Sequence, residues 1–185
     1  MVTTSYQIEP VYGVDLEVDA TTRTIEPGEY ALYMLTVTNL GNEKDTFNLT
    51  LINPRADFAE LTRDVIAELD AGGSETIMLN VSDTEGGTYE VKVIAVSQHD
   101  PGKQDSITTQ TKVLSYGVVI TADSTSKTAF VGNLTTYTLT VENTGNTEDT
   151  FDLVLSNQTG LDFASLSTDS LTLGAGASKE VTLSV

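Results

Sequence analysis

The chain contains two copies of one sequence pattern, placed 104 residues apart. Residues 12–81 align with residues 116–185 without gaps, with 26 identities in 70 positions. The Tyr-Gly-Val of residues 12–14 returns at residues 116–118. Self-similarity at a fixed period is the signature of an array built from one structural unit. The sequence therefore predicts a first domain over residues 12–115 and a second over residues 116–185.

Apolar and polar residues alternate along most of the first copy, as they do in half-buried strands. Residues 14–18, 33–37 and 47–51 each place their apolar side chains on one face, and turns such as Pro27-Gly28 separate the runs. The second copy keeps the inward residues and varies the outward ones. This pattern predicts an all-β fold of two tandem immunoglobulin-like antiparallel β-sandwiches, the second lacking its last two strands within this chain.

Residues 56–70 are ambiguous in the sequence. Their apolar residues have roughly helical spacing, and Ala-Glu-Leu at residues 59–61 favours helix locally. The corresponding part of the second copy is poor helix material. We therefore expect a short helical turn at most, followed by a short edge strand.

The two copies do not end at the same point of the pattern. Val185 is the counterpart of Val81, so the second copy lacks counterparts of residues 82–115. Residues 1–11 resemble the end of a preceding repeat. Two interpretations follow: a fragment whose continuation is missing, or a subunit whose residues 1–11 add as a strand to the open second domain of another molecule. The second contact would be head-to-tail and would build a filament.

The composition restricts the classes of partner. The 185 residues include 27 acidic and 9 basic ones, for a net charge of −18. This charge repels nucleic acid and anionic membrane surfaces, and no apolar run is long enough to span a bilayer. We expect no nucleic acid, no direct membrane insertion, and partners that are copies of the chain or neighbouring repeats. Without cysteine, disulfides and thiolate metal sites are excluded.

A Gly-Asn-x-x-Asp-Thr-Phe motif recurs in both copies. It comprises Gly41, Asn42 and Asp45, and again Gly145, Asn146 and Asp149. As turn chemistry, the glycines would supply positive φ, the asparagines would cap the turn and the aspartates would bond nearby amides. As an alternative, Asn42 and Asp45 could offer oxygen ligands to calcium, but calcium takes six to eight oxygens and no calcium-loop motif supplies them. No other cofactor is indicated.

No catalytic constellation is evident, so we expect no enzyme activity. His99 is the single histidine, lies in a polar turn and has no counterpart in the second copy.

Four sequons mark candidate glycosylation sites, and we expect all four to face solvent. They begin at Asn48, Asn80, Asn133 and Asn157.

Three stretches of the chain resemble CARDB-type and related immunoglobulin-like repeats of archaeal cell-surface proteins, including S-layer-associated ones. They are Leu-Thr-Val-Thr-Asn-Leu-Gly-Asn at residues 35–42, Asp-Thr-Phe at residues 45–47 and Gly-Gly-Thr-Tyr-Glu-Val-Lys-Val at residues 86–93. The resemblance implies an extracellular location and a role in adhesion or surface scaffolding.

Three functions are compatible with the sequence. The first is a non-catalytic structural repeat module of a surface protein, and the second is the filament subunit described above. The third is a carbohydrate- or protein-binding module with an exposed aromatic platform. Tyr33, Tyr89 and Tyr137 are predicted to point inward, which leaves Tyr6 and Tyr30 for such a platform.

Overall fold

The computed structural model describes residues 8–52, 58–156 and 164–185. It divides into two compact units, Met1–Val113 (unit 1) and Leu114–Val185 (unit 2). The described residues form strands and turns with no helix, which confirms the all-β prediction. None of them forms a helical stretch of the length and hydrophobicity that crossing a bilayer requires.

The described residues of unit 1 form nine strands. They are β1 (Val14–Val18), β2 (Thr22–Ile25), β3 (Ala31–Asn39), β4 (Asp45–Ile52), β5 (Ala59–Leu61), β6 (Val65–Leu69), β7 (Ser74–Val81), β8 (Gly87–Ser97) and β9 (Gln104–Val113). Sheet I has the strand order β1-β3-β7-β5, and sheet II has the order β2-β9-β8-β4-β6. The β2–β9 pairing is parallel, whereas the other pairings are antiparallel.

The core of unit 1 lies between sheets I and II. Both sheets contribute fully buried side chains, because alternate residues of each strand point to the same face. Sheet I supplies Tyr33, Leu35 and Val37, and sheet II supplies Phe47 and Val93 among others. Most of the inward positions read from the sequence are therefore buried here.

Residues 58–70, the described part of the ambiguous stretch, contain no helical turn, and the expected short edge strand is present. This stretch forms β5 and β6, which lie at the outer edges of the two sheets. A β-bulge in the β4–β6 pairing accounts for part of the misleading spacing, since it adds one residue to the alternation. Glu68 lies at this bulge with φ of 54° and donates its N–H to Thr46 Oγ1.

Unit 2 repeats part of this architecture, with six strands in its described residues. They are β10 (Val118–Ala122), β11 (Thr136–Asn143), β12 (Asp149–Asp152), β13 (Ser165–Leu166), β14 (Ser170–Leu173) and β15 (Ser178–Ser184). Sheet III has the order β10-β11-β15-β13, and sheet IV consists of β12 and β14. The β10–β11 register matches that of β1–β3, since Val14 pairs with Asn39 and Val118 with Asn143.

Candidate functional site

A turn in each unit holds the segment through which the chain enters that unit. In unit 1, Asn42 accepts the N–H of Val11 on Oδ1 at 2.7 Å and donates from Nδ2 to the carbonyl of Glu9 at 3.0 Å. Its backbone N–H donates to the Val11 carbonyl at 2.9 Å, and Leu40 N–H donates to the Gly13 carbonyl at 3.0 Å. These bonds continue the β1–β3 ladder beyond β1. We call this arrangement the lead-in clamp.

Unit 2 contains the same clamp at positions 104 residues later. Asn146 accepts the N–H of Ser115 on Oδ1 at 2.9 Å, and its backbone N–H donates to the Ser115 carbonyl at 3.0 Å. Thr144 N–H donates to the Gly117 carbonyl at 2.9 Å. Because β9 ends at Val113, this clamp holds the short connection that follows unit 1.

A buried asparagine beneath each clamp fixes the turn itself. Asn39 accepts the Gly41 N–H on Oδ1 at 2.8 Å and donates from Nδ2 to the carbonyls of Glu43 and Leu69, both at 2.9 Å. Asn143 makes the corresponding three bonds in unit 2. Sequence reasoning assigned the capping to Asn42 and Asn146, whereas the turn is capped by the residues three positions earlier. The sequence did contain a signal for this role, because an asparagine stands at the same position of both copies, Asn39 and Asn143.

The prediction of positive φ at Gly41 and Gly145 is wrong. Among the described residues, positive φ values at glycine occur at Gly28, Gly72, Gly132 and Gly176. The two clamp glycines are required by close approach instead. A Cβ at Gly41 would lie 2.5 Å from the Val11 carbonyl oxygen, and one at Gly145 would lie 2.4 Å from that of Ser115.

The aspartates of the motif bond nearby amides, as expected. Asp45 Oδ1 accepts the N–H of Thr46, and Asp149 Oδ1 accepts the N–H of Thr150, both at 2.7 Å. The two carboxylates differ in their surroundings, since Asp45 is buried and Asp149 is half-buried.

Asp45 also ties the β8–β9 turn to β4, a contact that the sequence did not reveal. Its Oδ2 accepts a hydrogen bond from Ser97 Oγ at 2.5 Å, and its Oδ1 accepts one from His99 Nδ1 at 2.8 Å. The His99 ring stacks on Tyr12 of the lead-in segment, with ring centroids 5.2 Å apart. The lead-in segment of unit 1 is therefore held from two sides.

Burial of the Asp45 carboxyl opposes its ionisation and by itself would raise its pKa. The hydrogen bonds from Ser97, His99 and backbone amides outweigh that effect and leave the pKa of Asp45 below its ordinary value. The carboxylate is therefore the stable form of this side chain in the folded unit.

The Asp45–Ser97–His99 group differs from a nucleophilic triad in its connectivity. The Ser97 hydroxyl donates to the carboxylate rather than to the imidazole, so no base is placed to activate it. Ser97 is also fully buried. The arrangement stabilises a turn, and the absence of enzyme activity stays a prediction.

The two oxygen-bearing side chains considered for calcium do not converge on one site. Asn42 Oδ1 accepts from Val11, whereas the Asp45 oxygens accept from Thr46, Ser97 and His99. In the part of the chain that the structure describes, no three His, Asp or Glu side chains are grouped to hold a metal ion.

The sequons differ in accessibility. Asn48 and Asn133 are exposed, as expected. Asn80 lies on the outward face of β7 but is half-buried, and its Oδ1 is buried without a hydrogen-bond partner among the described residues. Asn80 therefore faces outward as expected, but less of it is exposed than of Asn48 and Asn133. Asn157 lies outside the described residues.

The aromatic side chains show where a flat ligand could stack. Tyr30 is 68% exposed at a shallow groove also lined by Phe58 and Asp83. Tyr116 and Phe130 are exposed as well, although sequence reasoning did not single them out. Tyr33 is buried, Tyr89 and Tyr137 are half-buried, and Tyr6 lies outside the described residues.

Sheet IV of unit 2 has an edge without a strand neighbour among the described residues. In unit 1, β4 pairs with β8 on one side and β6 on the other, whereas β12 pairs with β14 alone. Leu153 N–H donates to the Asp169 carbonyl at 2.7 Å, toward β14. The backbone groups of Asp152 and Val154 therefore point to the opposite side, because neighbouring residues of a strand alternate between its two edges. We call this side the open edge.

The chain matches no protein-family model and no curated protein sequence. Solved structures with a similar fold include PapD-like domain 7 of human CEP192, at 16% identity and a TM-score of 0.41, covering 61% of this chain and 95% of that one. Domains 5–6 of the S-layer protein SbsC are similar over 95% of this chain and 84% of theirs, at 16% identity and a TM-score of 0.39. The YadV chaperone is similar over 91% and 85%, at 12% identity and a TM-score of 0.38. These likenesses concern the fold alone, and the resemblance to CARDB-type repeats still rests on its sequence motifs.

Proposed function

We propose that the protein is a non-catalytic structural repeat module of an extracellular, archaeal surface protein, in which β-sandwich units follow one another along the chain. The observation that carries this proposal is the lead-in clamp. The same bonds recur in both units at the same positions of the repeat. A set of bonds that fixes the entering segment of each unit suits an array of successive domains, and it is not an arrangement that a catalytic reaction requires.

The acidic surface agrees with this role. A net charge of −18 keeps the units hydrated and disfavours nonspecific association with anionic surfaces. In an extracellular setting, Asn48 and Asn133 present exposed acceptors for glycans.

The proposal is tested by weakening the lead-in clamp of unit 2. The chain has no cysteine, so one spin label can be attached to each unit through introduced cysteines without interference. We expect Asn146→Ala to broaden the distance distribution between the labels, because Ser115 loses its side-chain bond. Asn48→Ala, at an exposed strand position, is the matched control and should leave the distribution unchanged. Equal widths for wild type and both variants would remove the support for the proposal.

A filament subunit is a second candidate, and the open edge of β12 favours it. In this alternative, residues 1–11 of one molecule add as a strand to unit 2 of another. Electron microscopy of the purified chain should then show polymers that disappear when residues 1–11 are deleted. Polymers that persist after the deletion would exclude this mode of assembly.

A further inference from the structure

The turn before β11 in unit 2 and the turn before β3 in unit 1 share a backbone conformation but carry different side chains. Asn133 N–H donates to the Phe130 carbonyl at 3.0 Å, and Glu29 N–H donates to the Glu26 carbonyl at 3.1 Å. Of the four residues in each turn, the third alone has positive φ, and it is a glycine: φ is 85° at Gly132 and 82° at its counterpart. Both are therefore type II turns, which favour glycine at that position.

We propose that Asn133 carries an N-linked glycan and that the first sugar of this glycan packs against the ring of Phe130. The inference rests on the proposed extracellular role and deepens it, because it names a modification site and the side chain that positions the modification. Asn133, Leu134 and Thr135 form the sequon. The Asn133 side chain is exposed, as attachment of a bulky sugar requires.

Phe130 occupies the position of the turn that is nearest to Asn133 across the turn. The first and fourth residues of a β-turn have Cα atoms less than about 7 Å apart. The Phe130 side chain is 84% exposed, so its ring takes no part in the core. The face of an aromatic ring carries negative charge density, which attracts the weakly positive C–H groups of a sugar ring. A sugar on Asn133 therefore has an aromatic surface within reach.

Unit 1 shows that the turn itself does not need these side chains. The counterparts of Phe130 and Asn133 are Glu26 and Glu29, which are both exposed. The aromatic ring and the sugar acceptor are thus present together in one copy and absent together from the other, as expected if they act together. The turn of unit 1 stays exposed although β8 and β9 follow it in the chain. Exposure therefore belongs to the place of this turn in the repeat.

The surroundings of Asn133 lack the negative charge that hydrates most of the chain. Residues 124–141 contain no aspartate or glutamate, in a chain with 27 acidic residues. Beside the exposed Phe130, Val131 and Leu134 are 107% and 69% exposed. Neighbouring exposed apolar side chains mark a surface that is either covered by a ligand or prone to aggregation. A glycan is bulky and solubilising, so one on Asn133 covers this surface and hydrates it.

The test uses the full chain, secreted from a eukaryotic host whose N-linked glycans begin with N-acetylglucosamine. Mass spectrometry of its peptides should find Asn133 modified. After enzymatic trimming to a single N-acetylglucosamine, the sugar protons at Asn133 should resonate upfield of those of free N-acetylglucosaminyl-asparagine, because the ring current of Phe130 shields them. Loss of these signals in Asn133→Gln assigns them. Hydrogen exchange of the Asn133 backbone amide, which closes the turn, should be about two- to tenfold slower with the sugar attached.

Phe130→Glu introduces the residue that unit 1 has at this position. It should remove both the upfield shift and the slowed exchange, and it should leave the core of unit 2 unchanged because Phe130 is exposed. Val131→Glu is the matched control, since it adds the same charge at the neighbouring side chain, which is fully exposed. This variant should keep the shift and the slowed exchange.

The proposal is overturned if Asn133 is not modified, if its sugar protons have the chemical shifts of the free compound, or if the two glutamate variants behave alike. None of these measurements involves the lead-in clamp. Failure of the glycan contact and failure of the structural role are therefore distinguishable.

Discussion

The imidazole Nδ1 of His99 donates a hydrogen bond to Oδ1 of Asp45 at 2.8 Å, across 54 positions of the chain. The acceptor side chain is fully buried, whereas the histidine side chain is half exposed. This pair joins the start of β4 to the turn after β8. The strands β4 and β8 are neighbours in sheet II. The carboxylate is thus the point at which three polar groups of unit 1 are satisfied together.

Asp45→Asn should lower the free energy of unfolding of unit 1 at neutral pH by about 1–3 kcal/mol, because it weakens several bonds to one buried acceptor. The pKa of Asp45 is lowered in the folded unit, so the unfolded chain binds more protons than the folded one. The contribution of the carboxylate to the free energy of unfolding therefore decreases as the pH is lowered. The contribution is full above the ordinary aspartate value of about 4 and is lost as pH falls through the folded pKa. Urea unfolding followed by residue-resolved NMR from pH 7 to pH 3 measures this.

Asp149→Asn is the matched control for that prediction, since Asp149 is half-buried. Its effect on unit 2 should stay within about 0.5 kcal/mol. A difference between wild type and Asp45→Asn that is the same at pH 7 and pH 3 would contradict the assignment.

Gly145→Ala should destabilise unit 2 by about 1–3 kcal/mol, because the added Cβ would meet the Ser115 carbonyl oxygen at 2.4 Å and force the lead-in segment away. Gly174→Ala is the control, because a Cβ there meets no atom within 4 Å. Thermal unfolding monitored by NMR of unit 2 measures both. A neutral result for Gly145→Ala would show that the clamp adapts to a larger residue at no cost.

The sequence predicted the sheets better than the details of their connections. Alternation identified most of the inward residues of β3 and β4, because burial on one face imposes a period of two. The bulge at Glu68 was hidden because one added residue shifts that period, and the shifted pattern resembles a helix. Comparison of the two copies could not reveal the bulge either, because β12 and β14 of unit 2 pair without one.

The motif showed the candidate site but not the role of each residue. Gly41 was read as a residue with positive φ, the commonest reason for glycine in a turn. The actual reason is the approach of Val11, which lies 30 positions away and cannot be inferred from local sequence. The partners of Asp45 were missed for the same reason, because Ser97 and His99 approach it only through sheet pairing.

Millimolar calcium should leave the melting temperature of unit 1 unchanged, and so should its removal with EDTA. The candidate oxygens of Asn42 and Asp45 already accept hydrogen bonds from protein groups, and calcium would have to break these bonds to bind. Calorimetric scans with calcium, magnesium and EDTA provide the comparison. A rise in melting temperature with calcium but not magnesium would restore calcium as a ligand.

Salt should stabilise the protein. The net charge of −18 produces repulsion that ion pairs such as Lys44–Asp70 and Lys127–Asp123 relieve only in part. At 1 M salt the Debye length is about 3 Å, so the repulsion between surface charges is screened. We expect the melting temperature to rise between 10 mM and 1 M potassium chloride. Sucrose at matched osmolality is the control, and a melting temperature that falls with salt would mean that ion pairs outweigh repulsion.

Tyr33 should make unit 1 sensitive to alkaline pH. Its buried hydroxyl donates to the Gln110 carbonyl at 3.0 Å and bonds Thr111 Oγ1 at 2.9 Å, linking sheet I to β9. Burial raises the pKa of Tyr33, and the bond with Thr111 opposes this only in part. Because the unfolded chain loses this proton first, the stability contribution is full below about pH 10 and falls as pH rises further.

Tyr33→Phe should therefore lower the stability of unit 1 at pH 7 by about 0.5–1.5 kcal/mol and flatten its loss above pH 10. Tyr137→Phe, at the half-buried counterpart in unit 2, is the matched control and should have a smaller effect. The measurement is hydrogen exchange at the core amides of each unit during denaturant titration, at pH 7 and in the alkaline range. It gives the stability of unit 1 and of unit 2 separately. If Tyr33→Phe and wild type lose stability in parallel above pH 10, the alkaline sensitivity comes from another group and the link from Tyr33 to β9 is structural only.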